Sequence, residues 1–345
     1  MRDIQIHRIN KKLENTDKVI IALGCSFAEG QGAIYDSLYD NYKWHYQGMG
    51  KGMLVTVSDS EKKEIMYQYP DKVTVDKASG KLDFSIMEIE NSFSHVLAEK
   101  YFDNEYVAIN MGIRGTGNRG QIKELYFRPE INWHRVKKII VVYCVSGIER
   151  FDFVNDLWDT HYHWKAMWPK KEIDENDRKP LWEGYGQTVY SEKQAIIEQI
   201  ANVQELLTWC KLHNASLIIT PGFEQRYTKE YFNENLNTIV NRNSRQEIIE
   251  NSFLKNILDV KKVSHDYLSL LWPWNNMFYP DDNDTFIRLC MSQENDEIKN
   301  STDWFWQFLG NRSPKGYITG CAHPGEKGHD LFAKHLYFHI LKNNL

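Results

Sequence analysis

The run Lys18-Val-Ile-Ile-Ala-Leu23 leads directly into Gly24-Cys25-Ser26-Phe27-Ala28-Glu29-Gly30. Its first half is continuously apolar after the lysine, rich in β-branched residues, and closed by glycine. Such a run reads as a strand buried on both faces, which is characteristic of parallel sheets. Further along, Tyr106-Val-Ala-Ile-Asn110, Lys138-Ile-Ile-Val-Val-Tyr-Cys-Val145 and Ala215-Ser-Leu-Ile-Ile-Thr220 repeat the pattern. Each is closed by turn-forming residues. Between these runs the apolar period changes to three or four residues. Met87 to Tyr101 predicts one helix. Glu192 to His213 predicts another, with Ile196, Ile200, Val203, Leu206 and Leu207 on one face. A last helix is expected over Glu326 to Leu341, where Phe332, Leu336 and Ile340 follow at four-residue steps. Strands alternating with helices predict an α/β fold with a parallel sheet covered on both faces.

These elements use about half of the 345 residues. The remaining length falls in three polar, irregular blocks, approximately 35–83, 151–190 and 223–317, which read as insertions into one α/β domain spanning 1–345. Within them, Met53-Leu-Val-Thr-Val57 alternates as a hairpin strand would, and Glu247 to Val260 predicts a helix. Apolar residues make up 42% of the chain, enough to build a core, so disorder throughout is excluded. A net charge of −5 gives no global positive field, and no nucleic-acid partner is expected. No apolar run is long enough to span a bilayer, and residues 1–15 lack the apolar region of a signal peptide. The chain is therefore expected to be made in the cytoplasm, and to reach any exterior site on a virion or by another route without an N-terminal signal. Five dispersed cysteines without a Cys-x-x-Cys pair read as reduced thiols. No cofactor or metal is implied, and nothing signals an oligomeric state.

Chemistry concentrates at two turns. Ser26 follows the first strand between glycines, where a tight turn projects its hydroxyl from the carboxyl edge of the sheet. Ligands of open parallel sheets bind at that edge. A serine there also serves as a helix cap. His323-Pro324 immediately precedes the last helix, so the imidazole is held rigidly and faces a neighbouring loop.

Taken together, these turns resemble the SGNH (GDSL-like) hydrolases. Gly24-Cys-Ser-Phe-Ala-Glu-Gly30 is similar to their first block, Gly-Asp-Ser-x-x-x-Gly, with Cys25 in the place of aspartate. Asn110-Met-Gly-Ile-Arg-Gly-Thr-Gly-Asn118 resembles the second block, Asn-x-x-x-x-Gly. Its Gly-x-x-Asn variant is similar to that of SGNH-like proteins of bacteria and phages. His323-Pro-x-x-x-Gly-His-x-x-x-Ala333 resembles the last block. The resemblance implies a three-layer α/β/α sandwich with a flavodoxin-like sheet. It also implies Ser26 as nucleophile, His323 as base, and the N–H groups of Ser26 and Gly115 as oxyanion donors. Two positions depart from the pattern. The third block's asparagine is missing from Val145-Ser-Gly-Ile-Glu-Arg150, leaving Asn118 or Ser146 as substitute donors. Gly320 stands where the histidine-orienting aspartate belongs. That acid is expected from the third insertion, as Asp303 or Asp282, or is replaced by a backbone carbonyl, or is absent.

The residues themselves support this chemistry. Ester cleavage needs a nucleophile, a base to take its proton, and donors aimed at the developing oxyanion. The implied function is a serine esterase, with an ester or an acylated saccharide as substrate, such as an O-acetylated polysaccharide. The alternatives are a non-catalytic binding or structural protein, such as a virion component, and a sugar O-acyltransferase. Cys25 is a second candidate nucleophile, but adjacent residues in a turn point in different directions. Cys321 and His329 read as packed residues. His161 and His163 form a His-x-His pair without further ligands at metal-binding spacing. The glycines of 112–117 do not have dinucleotide-binding spacing. Aromatics reach 13% of the chain, with 11 Trp. They crowd the insertions at Trp158, Trp164, Trp168 and Trp182, at Trp272 to Tyr279, and at Trp304 to Phe308. They are expected mainly to pack the insertions onto the core, with at least one cluster near the site if the substrate is a saccharide.

Overall fold

The expected strands form one parallel sheet. In a computed structural model, β1 (Lys18–Gly24) pairs with β2 (Val107–Asn110) on one side and β3 (Lys138–Val145) on the other. β3 then pairs with β4 (Ala215–Pro221). The structure describes residues 3–34, 54–55, 57–76, 79–113, 117–127, 130–148, 151–154, 164–167, 192–223, 225–237, 269–280, 285–301, 307–308, 313–319 and 322–345. The strand order is β2-β1-β3-β4, the order in which flavodoxin-like sheets begin. Beside β4, Met277 makes a parallel bridge to Ile219, and the Phe278 N–H donates to the Ile219 carbonyl at 2.7 Å. The side chain of Asn276 donates to the Leu217 carbonyl at 2.9 Å. An irregular segment thus satisfies edge groups of β4 that would otherwise invite another chain.

Strand alternation sends the apolar side chains to two faces. Val19, Ile21, Leu23, Val107, Ile109, Val141 and Ile219 lie on one. Against them pack α1 (Asp3–Lys12), α4 (Asn118–Lys123), α5 (Glu192–Leu212) and α6 (Lys229–Asn237). On α5, the predicted residues Ile196, Ile200, Val203 and Leu206 are buried. Full burial of each contributes about 1.5–3 kcal/mol. Ile20, Ala22, Ile140, Val142 and Ile218 line the opposite face. There lie α3 (Phe93–Val96, continuing as a π-helix over Leu97–Tyr101), α7 (Phe286–Ser292) and α8 (Glu326–Lys342). The predicted stripe of α8 is buried, with the Phe332 ring stacked on Phe286 at 4.0 Å between centroids. Helices on both faces of a parallel sheet are what a three-layer arrangement requires.

Two local expectations change. Among the described residues, Leu54–Val55 has no hairpin partner adjacent in sequence. It pairs with Leu82–Asp83, which also pairs with Thr74–Val75, giving a small antiparallel sheet. This sheet and the helix Asp59–Gln68, closed by a Ser58–Glu61 capping box, give regular structure to part of the first insertion. Ile65, Leu82 and Phe84 belong to a small core there. The helix predicted over Met87 to Tyr101 is broken into Ser85–Glu90 and α3. Ser92 turns extended at the break, and its hydroxyl donates to the Ile89 carbonyl at 2.6 Å. The apolar period runs through the break, so spacing alone does not reveal it.

Phe151–Val154 and Trp164–Met167 form an antiparallel pair within the second insertion. The helix expected over Glu247 to Val260 lies outside the described residues, as do His161, His163, Cys321, Trp158, Trp168, Trp182, Trp304 and Trp306. Trp272 is fully covered and packs against Tyr227 and Phe232, with ring centroids 5.5 and 5.2 Å away. Phe278 and Phe308 are buried too, so these insertion aromatics serve packing. No helix among the described residues is long and apolar enough to cross a membrane.

Candidate active site

β1 ends at Gly24, opposite Cys144 of β3, at the carboxyl edge of the sheet. The chain turns there with Gly24 at φ 152°, where a Cβ would lie 2.5 Å from Ala28 Cβ and 2.8 Å from the Cys144 carbonyl. Only glycine permits this approach. Cys25 caps the one-turn helix α2 (Ser26–Glu29), and its carbonyl accepts from the N–H groups of Ala28 and Glu29 at 3.0 Å each. Its side chain is fully buried on the same face as Cys144. Ser26, the next residue, directs its hydroxyl at His323. As the first residue of α2, it carries one of the N–H groups that a helix start leaves without an intrahelical acceptor.

His323 meets Ser26 from the far end of the chain. Ser26 Oγ lies 2.7 Å from His323 Nε2. When the serine donates, Nε2 is the unprotonated nitrogen and the ring proton sits on Nδ1. The loop before α8 holds the imidazole firmly. The His323 carbonyl accepts from both the N–H and the hydroxyl of Thr319, at 2.9 and 3.1 Å. Pro324 bridges Ile318, and Ala322 is held at φ 57°. A left-handed non-glycine residue costs about 1–2 kcal/mol, so the surrounding contacts dictate this turn. The Phe27 ring packs against the imidazole, with centroids 5.0 Å apart. Ser26 is only 7% exposed and His323 is partly exposed. His323 has further interactions besides the one to Ser26.

The other candidates occupy different places. Asn118 is fully buried at the start of α4. Its Nδ2 donates to the Tyr227 hydroxyl at 2.9 Å and the Ser146 carbonyl at 3.4 Å, while its Oδ1 accepts from the Ser146 N–H at 2.8 Å. Tyr227 in turn donates to the Ser146 carbonyl at 2.8 Å. Asn118 is therefore engaged in clamping the loop after β3, and the Ser146 hydroxyl is buried with no hydrogen-bond partner among the described residues. Gly115, Asp303, Asp282 and Gly320 lie outside the described residues. Removing the Tyr227 hydroxyl, by Tyr227→Phe, is expected to lower unfolding stability by about 1–3 kcal/mol, because it strips partners from two buried groups. A denaturant titration reads this directly.

The Cys25 placement yields a second expected result. Cys25→Ala removes a thiol that faces the core, so if Ser26 is the nucleophile, fluorophosphonate labelling should stay within a few-fold of the parent. A loss as deep as that from replacing Ser26 would make the thiol the nucleophile.

His329 lies one turn into α8, fully buried. Its Nδ1 accepts from the Phe93 N–H at 3.1 Å, so it caps α3 as a neutral imidazole. Burial, reinforced by positive charge at His323, pushes its pKa down to about 3. This agrees with a structural role for His329. Among the described residues no cluster of His, Cys, Asp or Glu is arranged to hold a metal ion.

Sequence spacing did not single out Tyr227, which holds the loop after β3. Compared with known proteins, the chain matches no family model and no curated protein.

Proposed function

We propose that this chain is a serine esterase of SGNH (GDSL-like) hydrolase type. The observation that carries the reading is the 2.7 Å contact between Ser26 Oγ and His323 Nε2. That distance is within the reach needed for a general base to take a hydroxyl proton. Ser26 attacks the ester carbonyl carbon as His323 accepts its proton. The carbonyl oxygen becomes an oxyanion beside the N–H groups of Ser26 and Gly115. Collapse of the tetrahedral intermediate breaks the bond to the alcohol, which leaves with the proton returned by His323. Water then attacks the acyl-serine with the same histidine as base, releasing the acid and restoring Ser26. Asp303 or Asp282 is the proposed orienting acid. The proposed substrate is an ester such as an O-acetylated polysaccharide, on the strength of the motif resemblance.

The test is covalent labelling of the full chain with a fluorophosphonate, read by intact mass and peptide mapping, beside hydrolysis of 4-nitrophenyl acetate. One adduct on Ser26 together with acetate release is the expected result. Absence of both in folded protein overturns the proposal. Labelling with little hydrolysis, but with acetyl transfer to added oligosaccharide, replaces it with an acyltransferase.

A further inference from the structure

We propose that Asn110 is a positioning residue that sets the Ser26 turn against the His323 imidazole. The importance of that geometry for catalysis rests on the esterase reading, whereas the bracing itself does not. A helix of one turn has too few internal hydrogen bonds to hold itself, since nucleation alone is unfavourable. α2 must therefore be held from outside. At its end, the carbonyls of Ala28 and Glu29 need donors beyond the helix. The Asn110 carboxamide, at the end of β2 and only 6% exposed, supplies one. Its Nδ2 donates to the Ala28 carbonyl at 2.7 Å, with the Glu29 carbonyl at 3.4 Å, and to Ser92 Oγ at 2.8 Å. Its Oδ1 accepts from the Gly112 N–H at 2.9 Å.

One side chain thus ties together three segments: the nucleophile helix, the break before α3, and the strand exit that leads toward Gly115. The backbones are correspondingly close. A Cβ on Gly112 would lie 2.5 Å from the Glu29 nitrogen and 2.9 Å from the Ala28 carbonyl carbon. The Met111 and Ile113 N–H groups continue the contact, donating to the carbonyls of Ala22 and Gly24 at 2.8 and 2.9 Å. Strand β2 is therefore a rigid bracket for α2, and Asn110 is its polar fastening. Rotation of α2 by even a fraction of a turn would carry Ser26 Oγ out of reach of Nε2.

The discriminating variant is Asn110→Asp, which keeps the size and the acceptor for Gly112 but replaces the donating amide with a carboxylate facing the Ala28 carbonyl. A crystal structure is expected to show the Ser26–His323 contact opened beyond hydrogen-bond reach. Fluorophosphonate labelling should slow by about 100-fold, the order of loss that accompanies a misplacement near 1 Å. KM for 4-nitrophenyl acetate should stay near the parent value while kcat falls. The deficit relative to the parent should also narrow as pH is lowered from about 8 to about 5, because a protonated carboxyl again donates to Ala28. A purely structural role would lower thermal stability without producing that pH-dependent recovery. Ser92→Ala, which leaves Asn110 in place, should slow labelling only several-fold, and it serves as the second variant if Asn110→Asp does not fold. An unchanged contact in the variant structure, or equal labelling rates, overturns the inference. If the parent itself neither labels nor hydrolyses but the contact still opens in the variant, the esterase reading fails and the positioning role of Asn110 stands.

Discussion

Ser26→Ala is expected to abolish fluorophosphonate labelling and to reduce kcat/KM for 4-nitrophenyl acetate by about 10⁴-fold or more, the scale on which removal of a nucleophile is felt. The fold should survive. Among the described residues, the Ser26 side chain makes one hydrogen bond, to His323, while the helix and its cap are built from backbone groups of residues 25–31. His323→Ala should cost nearly as much, and the double variant little more than either alone, because nucleophile and base act as one unit. Independent, multiplying losses would mean that the two residues do not work in one step. The pH profile gives a further check. The parent should lose activity as pH falls and the base becomes protonated, whereas the residual activity of His323→Ala should lack that acid limb. A Ser26→Ala protein that retains parental labelling and turnover would sink the esterase proposal outright.

The second large effect concerns acid stability. His329 has a pKa near 3 in the folded protein against about 6.5 for an ordinary histidine. Below pH 6.5 the unfolded chain takes up a proton that the folded chain does not. Protonation therefore favours unfolding, and stability falls as pH drops through the window from about 6.5 to about 3. The slope from this one group is about 1.4 kcal/mol per pH unit, and the whole window is worth about 5 kcal/mol. That is a large part of the 5–15 kcal/mol typical of a folded domain. His329→Gln keeps an acceptor within reach of the Phe93 N–H but cannot titrate. Its stability at neutral pH should fall modestly, while its dependence on pH below 6 should flatten by about 1.4 kcal/mol per unit relative to the parent. Urea titrations at several pH values measure this. Parallel curves would show that His329 is not the acid-sensitive group. His95, whose pKa burial pushes down to about 4, adds to the slope in the same direction.

What was legible in the sequence follows from how each feature is encoded. The sheet strands are covered on both faces, so they appear as continuous apolar runs, and β3 spans the stretch expected of it. The stripes of α5 and α8 were equally plain, since each faces one layer of core. The turns that hold Ser26 and His323 were legible because they have local signatures, glycine beside one and proline beside the other. Their 2.7 Å separation was not, because it depends on how α8 docks on α3. The break at Ser92 was hidden for a different reason. It coincides with the hydrogen bonds of Ser92 to the Asn110 amide and the Ile89 carbonyl, while the apolar period runs on undisturbed. Tyr227 holds Ser146 from 81 positions away, inside a block that reads as irregular, and no periodicity marks such a residue.

The Ser26–His323 contact closes a loop of 297 positions, nearly the whole chain. During biosynthesis the serine turn therefore leaves the ribosome long before its partner has been made. β2, β3 and β4 can assemble beside β1 in that interval, but the His323 imidazole does not reach the Ser26 hydroxyl until α8 docks. On the esterase proposal, an unfinished chain should be inert toward the fluorophosphonate expected to label the full chain. Adduct formation on Ser26 would then report the docking of α8 rather than the pairing of β1.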